Sequence, residues 1–549
     1  MTRAAAEIPV LHSRGAADVL TGTGILLRFM LRRDRVTIAA WIVVLAGFTA
    51  IIAASFPELY PTREQRDGIA LAMSSPAAVA MIGVNHGPGD YHIGAMMAHQ
   101  QLWFSVLLAG LMSILMTVRH TRQEEASGRA ELVRSTVVGR HATTAAALLA
   151  VAVANVGLGA ALAVTLGAIG GEGVTWGGSW LYGAAHVAVG LTFAGIAAVT
   201  AQMSEHPRGA TGMALAVLGL AYVVRAAGDV AGNALSWLSP IGWAQATQVY
   251  VSDLWWPLLP AVAATALLIA AAFSLSTRRD VGAGLRAPTP GAARASALLT
   301  TPIGFAVRLQ RAGFYGWAAG IFVLGVMYGS ILGDAEQMLA DIDVMSAMLS
   351  AMPGVDMVEA FGAMIASVTA ILAAAYAVLA AQRLRSEELA GRAESVLATA
   401  LSRSRWVLSH VIVAAVGSLL VLVGGGLGLG LTGGASTGDW SLLPAFVAAM
   451  ASYAPAVWVV VGLSAALFGL APRAIGATWA LVGYAFVVIY LGGVLQFPAW
   501  MEAVSPFGHV PRMPAEDFAL APLLALTAVA MLLVGIGLAG FQRRDVPLP

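Results

Sequence analysis

Long apolar stretches, separated by shorter polar segments, recur along this 549-residue chain. Each is about 20 residues long, the length at which an α-helix crosses the hydrocarbon core of a membrane. The stretches are too long and too evenly apolar for the alternating strands of a membrane barrel. The pattern therefore predicts an all-α integral membrane protein with about 12 transmembrane helices. They are expected near residues 36–55, 98–118, 143–168, 180–203, 211–231, 257–276, 313–332, 361–382, 407–432, 444–470, 475–496 and 521–541.

The distribution of basic residues predicts the orientation of these helices. The chain has no lysine, so all 30 of its basic residues are arginine. Of these, 26 lie in segment 1–35 or in the polar segments that lie on the same side of the membrane as that segment, if each predicted span crosses the membrane once. Positively charged loops stay on the cytoplasmic side of a membrane. Arginine-only usage with abundant Ala, Gly and Val is typical of a GC-rich bacterial genome. We therefore expect a multi-pass protein of the bacterial plasma membrane with both termini in the cytoplasm.

The chain contains an internal duplication. The segment Arg-Gln-Glu-Glu-Ala-Ser-Gly-Arg-Ala-Glu at 122–131 recurs as Arg-Ser-Glu-Glu-Leu-Ala-Gly-Arg-Ala-Glu at 385–394, and three shorter matches follow at nearly the same spacing of 263 to 266 residues. The shorter matches pair Pro207-Arg208 with Pro472-Arg473, Ser239-Pro240 with Ser505-Pro506, and Arg278-Arg279-Asp280 with Arg543-Arg544-Asp545. Six spans in each copy give both copies the same orientation, so two parallel six-helix repeats are predicted.

The duplication divides the chain into three parts. Residues 1–276 are predicted to form a first six-helix half with an N-terminal interfacial helix, 277–312 a cytoplasmic linker with a second interfacial helix, and 313–549 the second half. The interfacial helices are placed at 25–35 and 303–314, where arginines and apolar residues occupy different helical faces. An extension of the following span would give the same pattern, and the sequence leaves that alternative open.

The composition limits the chemistry that the chain can carry. It has no cysteine, which excludes disulfides, thiolate metal sites and cysteine nucleophiles. A phosphate-binding loop of the P-loop type needs a lysine, which this chain lacks. We therefore expect no catalytic residue, no cofactor site and no metal site in this chain.

The duplicated motif lies in the predicted cytoplasmic loop after the second span of each half. A charged loop beside a membrane is ordinarily only solvated, and that reading would explain the arginines. The recurrence of the glutamates and the glycine favours a docking surface instead, because opposed charges fix the register between two partners. The twelve predicted docking residues are Arg122, Glu124, Glu125, Gly128, Arg129, Glu131, Arg385, Glu387, Glu388, Gly391, Arg392 and Glu394.

This motif resembles the coupling helix of ABC-2-type permeases, which carries an E-x-x-G-x-x-E-x-L-like pattern in the same loop. Residues 125–132 and 388–394 match it, and 139–140 and 404–405 stand where that family often has a small residue followed by a basic one. The Ser-Pro pairs resemble the short external hairpin between the fifth and sixth spans of the family. With two fused halves, the chain resembles the twelve-span actinobacterial permeases grouped under polyketide or tetronasin-type antibiotic export.

The resemblance implies the permease subunit of an exporter for hydrophobic or amphipathic compounds such as antibiotics and drugs. Two copies of a separate ATPase subunit would bind ATP and Mg²⁺ and dock on the two motifs, and no nucleic acid partner is implied. Two other classes remain open from the residues alone. A secondary, ion-coupled transporter would need acids or broken helices at mid-membrane, and a membrane-embedded lipid-modifying enzyme would need clustered acids and histidines.

Aromatic and methionine side chains in the second and fifth spans are candidates for a substrate path. Such side chains adapt to varied apolar ligands, although ordinary packing explains them at least as well. The candidates are Trp103, Phe104, Met112, Met116, Tyr222, Arg225, Tyr484, Phe486 and Tyr490. Arg225 and Asp229 stand near the outer end of the fifth span, where charges are costly and usually paired. We expect either a local ion pair or a pore-facing pair that contacts substrate.

The external segments that follow the first span of each half differ in charge. Segment 56–97 is mixed, whereas segment 333–360 carries six acidic residues and no basic residue. Both are predicted to contain amphipathic helices that cap the exit of a transport path.

Overall fold

The computed structural model describes residues 19–87, 89–280, 282–285, 293–334, 357–495 and 497–545. All regular structure in these residues is helical, which confirms the predicted all-α class. The chain separates into two compact units, Met1–Pro290 and Gly291–Pro549, and the boundary falls within the predicted linker. Most of the acidic segment, at 335–356, and the linker residues 286–292 lie outside the described residues.

Twelve helices in the described ranges are long and apolar enough to cross a membrane, in agreement with the predicted number. The α-helices of the first unit are α1 (Thr23–Leu59), α2 (Arg63–Ala72), α3 (Pro76–Ile82), α4 (Ile93–His120), α5 (Arg122–Ala126), α6 (Arg129–Arg134), α7 (Ala142–Ile169), α8 (Trp176–Met203), α9 (Pro207–Ala231), α10 (Pro240–Gln245) and α11 (Leu259–Ser276). Those of the second unit are α12 (Pro302–Ile331), α13 (Met357–Ala381), α14 (Arg383–Leu389), α15 (Arg392–Leu397), α16 (Arg403–Thr437), α17 (Leu442–Ser452), α18 (Ala454–Leu470), α19 (Thr478–Leu495), α20 (Ala499–Val504) and α21 (Leu520–Arg543). The spanning helices are α1, α4, α7, α8, α9 and α11 in the first unit, and α12, α13, α16, α17 with α18, α19 and α21 in the second.

The two units repeat the same internal packing. In the first unit, α7 packs against α1 and α8, and α8 packs against α4 and α11. In the second unit, α16 packs against α12 and α17, and α18 packs against α13 and α21. Each spanning helix therefore has equivalent neighbours in both units, as expected for a duplicated chain.

Glycines bring several of these helices into close contact. A Cβ added to Gly428 of α16 would lie 2.3 Å from Phe322 O of α12, and one added to Gly183 of α8 would lie 2.2 Å from Gly159 O of α7. Helices inside a membrane gain little from the hydrophobic effect, so their association depends on such close packing of small residues. The glycine-rich stretch of α16 is accordingly a helix-packing surface.

The basic segments at the start of each half belong to the spanning helices themselves. Helices α1 and α12 run through 25–35 and 303–314 without a break, so the predicted interfacial helices are not separate elements. In the first unit the reason is Asp34, which is 1% exposed and lies 2.9 Å from His120 Nε2 and 3.0 Å from Arg119 Nη2 of α4. This paired carboxylate fixes the basic segment of α1 to the helix bundle.

The predicted span 444–470 is divided into α17 and α18 at Tyr453. Pro455 stands at the start of α18 and has no N–H group to donate to the preceding turn, so one continuous helix is disfavoured there. Helix α8, the equivalent in the first unit, contains no proline and is continuous.

The repeated Ser-Pro pairs begin a short helix in each unit. The Oγ of Ser239 accepts a hydrogen bond from Ile241 N at 3.2 Å, and that of Ser505 accepts one from Phe507 N at 3.3 Å. A serine that caps the helix and a proline in the first helical position both favour the start of a helix. The recurrence of the pair therefore has a structural explanation in both units.

Candidate functional site

Each duplicated motif forms two short helices joined at a glycine. Gly128 separates α5 from α6 with φ of +73°, and Gly391 separates α14 from α15 with φ of +70°. Residues with a Cβ adopt this left-handed conformation only with strain, whereas glycine adopts it freely. The turn that the motif makes explains why the glycine recurs.

The second glutamate of the first motif is held inside its own unit. Glu125 accepts hydrogen bonds from Arg122, three residues earlier, and from Arg279, whose Nη2 lies 2.7 Å from Glu125 Oε1. Arg122 is 1% exposed, and its Nη2 also donates to Ala283 O at 2.7 Å. Two arginines therefore surround one carboxylate, and the segment after α11 is fixed to the motif.

The second unit repeats this network with equivalent residues. Glu388 is 6% exposed, and its carboxylate lies 2.8 Å from both Arg385 Nη1 and Arg544 Nη2. Arg544 follows α21 as Arg279 follows α11. The repeated Arg-Arg-Asp element thus joins the end of the last helix of each unit to the charged motif of the same unit.

The first glutamate of each motif also has partners within its unit. Glu124 pairs with Arg33 of α1 at 3.0 Å. Glu387 pairs with Arg383 at 2.6 Å and with Arg392 at 2.7 Å. Arg392 lies outside the spanning helices, and its hydrogen bonds to Glu387 raise the pKa of its guanidinium above the ordinary value. These pairs hold the two short helices of each motif against the unit that carries them.

Four charged residues of the motifs are exposed to solvent: Arg129, Glu131, Arg392 and Glu394. Arg129 lies 3.4 Å from Glu124 and Arg392 pairs with Glu387, whereas Glu131 and Glu394 form no ion pair among the described residues. Next to them, Leu132 is 72% exposed and Leu389 is 68% exposed. Exposed apolar side chains within a charged rim are typical of a protein interface, and the four exposed charged residues and these two leucines are named the motif surface below.

A second cluster of charges lies at the opposite end of the first unit. Arg225 is fully buried, and its Nη1 lies 3.3 Å from Asp229 Oδ2, so the local ion pair is present. The same guanidinium donates to Val79 O at 3.3 Å and to Met81 O at 2.9 Å, near the end of α3. A cation at this position adds a hydrogen bond to each of these carbonyl groups and complements the dipole of the short helix.

Three more side chains hold the same segment. Tyr222 OH, Gln245 Nε2 and His99 Nε2 bond the carbonyl groups of residues 81, 82 and 83 at 2.8, 2.6 and 3.0 Å. They belong to α9, α10 and α4, so three different helices fix one external segment. These side chains together with Arg225 are named the outer clamp below.

The structure brings four predicted substrate-path residues together, and two of them, Tyr222 and Arg225, belong to the outer clamp. The ring of Trp103 lies 5.6 Å from that of Phe104 and 5.7 Å from that of Tyr222. The guanidinium of Arg225 lies 4.7 Å from the centre of the Tyr222 ring, at cation–π distance. The cluster combines aromatic surface with a charge whose partners all lie within the first unit.

The other predicted path residues lie elsewhere. Met112 and Met116 are 0% and 2% exposed and belong to the core of the first unit. Tyr484 OH donates to Met501 O at 2.7 Å, and Phe486 packs against the core of the second unit. The side chain of Tyr490 lies outside the described part of the structure. A role for any of these residues in a substrate path stays a prediction.

Twelve apolar helices in two repeated units define a multi-pass membrane protein, and the comparisons with known proteins place it among permeases. Residues 299–542 match the family model described as the C-terminal domain of multidrug efflux system permease Rv1217c. Over 534 residues the chain is 39% identical to the multidrug efflux system permease protein Rv1217c of Mycobacterium tuberculosis, and the match covers 96% of this chain and 95% of the relative. The chain belongs to this family of multidrug efflux system permeases. The resemblance to exporter permeases inferred from the duplicated motifs is thereby confirmed.

Proposed function

We propose that the chain is the permease subunit of an ATP-driven (ABC) exporter of hydrophobic or amphipathic compounds, driven by two copies of a separate ATPase subunit. The motif surface carries this proposal, because its exposed Arg129 and Glu131 in the first unit recur as Arg392 and Glu394 in the second, as two docking sites require. The sequence lacks the lysine of a P-loop, so ATP and Mg²⁺ would bind to the partner subunits. The relative is itself named as a multidrug efflux system permease, which supports export of drug-like compounds.

The internal ion pairs suggest how docking would act on the membrane helices. Arg33 connects the first motif to α1, and Arg279 connects it to the end of α11. In the second unit Arg544 connects the motif to the end of α21. A displacement of the motif surface would therefore move spanning helices of the same unit with it. In this mechanism the chain supplies the route for the substrate, and the ATPase supplies the energy.

We also propose that both motifs and both termini face the cytoplasm, which the arginine distribution supports. Single cysteines at positions 126 and 390 test this without background, because both positions are exposed and the chain has no cysteine of its own. A membrane-impermeant maleimide should label them only after the cells are opened. A cysteine at exposed Asn233, near the opposite end of α9, is the control that should react in intact cells. Labelling of 126 or 390 in intact cells would refute this orientation.

Reversal of Glu131 and Glu394 to arginine should weaken assembly with the ATPase. Both side chains are exposed and have no ion pair among the described residues, so the internal networks would stay intact. Loss of a charged partner at a desolvated interface costs about 2–5 kcal/mol, or roughly thirtyfold or more in affinity. Co-purification with the ATPase and substrate-stimulated ATP hydrolysis measure the effect.

Gln123→Arg is the matched control for this experiment, because Gln123 is exposed on α5 but is not part of the motif surface. It should assemble normally. If the double reversal also assembled and hydrolysed ATP normally, the motif surface would be only a solvated loop, and the proposed coupling would lose its support.

A further inference from the structure

The second unit contains a cavity of about 240 Å³ among α12, α13 and α16. Val307 and Phe314 of α12 form one apolar wall, and Ile412, Val416 and Leu420 of α16 form another. Val416 and Leu420 are both half exposed on the outside of the unit. The cavity therefore suits the apolar part of a small molecule that arrives from the surrounding membrane.

A buried polar group inside this cavity has an unused hydrogen-bonding atom. Gln310 lines the cavity and is 7% exposed, and its Nε2 lies 3.3 Å from His410 Nδ1. Its Oε1 has no partner among the described residues. If the amide were turned over, the other atom would be left unpaired instead. Buried polar atoms in native proteins are nearly always paired, so a bound molecule with a hydrogen-bonding group would complete this site.

The cavity also has an uncompensated positive charge. Arg311 lines it, is exposed, and forms no ion pair with a carboxylate among the described residues. Arg308 stands one helical turn earlier, is also exposed, and likewise has no such pair. A negatively charged group on the ligand would therefore find its charge partner at Arg311.

The equivalent position in the first unit is built differently. Arg32, Arg35 and Trp41 of α1 match Arg308, Arg311 and Trp317 of α12 at one constant spacing along the chain. The same spacing places Asp34 opposite Gln310. Asp34 is paired with His120 and Arg119 inside the first unit, whereas the amide of Gln310 leaves one atom free. An uncharged amide at this position is thus a feature of the second unit.

We propose that this cavity binds an anionic amphiphile. Its acidic group pairs with Arg311, a neighbouring hydroxyl or similar group bonds the side chain of Gln310, and its apolar chain lies between α12 and α16. The site is separate from the motif surface, so its occupancy does not depend on the ATPase. Both an exported amphipathic acid and an anionic phospholipid share this chemistry.

Binding is measured on the purified permease alone, in nanodiscs of phosphatidylcholine. Ile303, at the mouth of the cavity, is changed to cysteine and labelled with an environment-sensitive fluorophore. The probes are 3-hydroxydodecanoate, dodecanoate and the uncharged methyl dodecanoate. We expect 3-hydroxydodecanoate to bind most tightly. Arg311→Gln should weaken both acids at least tenfold and leave the ester unchanged, and Gln310→Leu should abolish the preference for the hydroxy acid.

Filling the cavity gives an independent result. Leu420→Trp or Val416→Trp should abolish binding of all three probes, and both positions are half exposed, so a larger side chain is tolerated. Leu408→Trp is the matched control, because Leu408 is on α16 and exposed but does not line the cavity. Size-exclusion profiles establish that each variant is folded.

Addition of phosphatidylglycerol to the nanodiscs separates the two sources of ligand. Displacement of 3-hydroxydodecanoate would assign the site to an anionic phospholipid, and undiminished binding would assign it to a free amphipathic acid. Either result is consistent with the proposal. Equal binding of acid and ester that is insensitive to Arg311→Gln, or binding that survives both tryptophan variants, would overturn it.

Discussion

Replacement of Glu388 by glutamine is expected to destabilise the second unit by about 3 kcal/mol. Arg385 and Arg544 share this carboxylate at 2.8 Å, so the change leaves two arginines without their counter-charge. Removal of one partner from a buried ion pair costs about 3–5 kcal/mol, and the cluster lies near the end of a helix, which favours the lower value. Thermal unfolding of the purified protein in detergent would show a reduced midpoint.

Two further variants separate this network from a general effect of charge. Glu394→Gln changes an exposed glutamate of the same motif and should alter stability by no more than about 0.5 kcal/mol. Arg544→Gln combined with Glu388→Gln should recover part of the loss, because one charge of each sign is then removed. If Glu388→Gln and Glu394→Gln unfolded at the same temperature, the buried network would not contribute to stability.

Replacement of Arg225 by methionine should release the external helix α3 from the outer clamp. The guanidinium bonds two carbonyl groups near the end of α3 and pairs with Asp229, so its loss removes one hydrogen bond from each carbonyl group and leaves the partly buried carboxylate without its counter-charge. The expected cost is about 3 kcal/mol. Ala78 of α3 is fully buried, so a cysteine there should react slowly with maleimide in the parent protein. We expect its reaction to be at least tenfold faster in Arg225→Met.

Tyr222→Phe provides the graded comparison for the outer clamp. It removes the hydrogen bond to Met81 O but keeps the ring beside Trp103 and Arg225. One hydrogen bond contributes about 0.5–1.5 kcal/mol, so labelling at position 78 should rise only a few-fold. An unchanged labelling rate in Arg225→Met would show that Arg225 does not hold α3 in place.

The number of spans and the duplication were predictable from the sequence because both depend on regular patterns. The thickness of a membrane fixes the length of an apolar helix, and the repeat preserves residue types at one spacing. The boundaries were less predictable. Pro455 divides one predicted span for a local reason, and the basic start of α1 continues into its span because Asp34 has partners on α4.

The contacts of the charged residues were not predictable, because they join distant parts of the chain. Arg279 lies 154 residues from Glu125, and Arg225 lies 144 residues from Met81. The sequence showed that the Arg-Arg-Asp element recurs, but not that its second arginine binds the motif glutamate. The partners of Arg225 in the outer clamp are mainly backbone carbonyl groups, which leave no signature in residue types.

The differences between the two units have an evolutionary consequence. In a symmetric homodimer every substitution appears twice, once in each copy. Here Ile489 of the second half corresponds to Arg225 of the first half, and Gln310 of the second half corresponds to Asp34 of the first half. Because both copies are encoded in a single gene, each of these changes occurs once and leaves its counterpart intact. One half of the chain can therefore carry a feature that the other half does not have to tolerate.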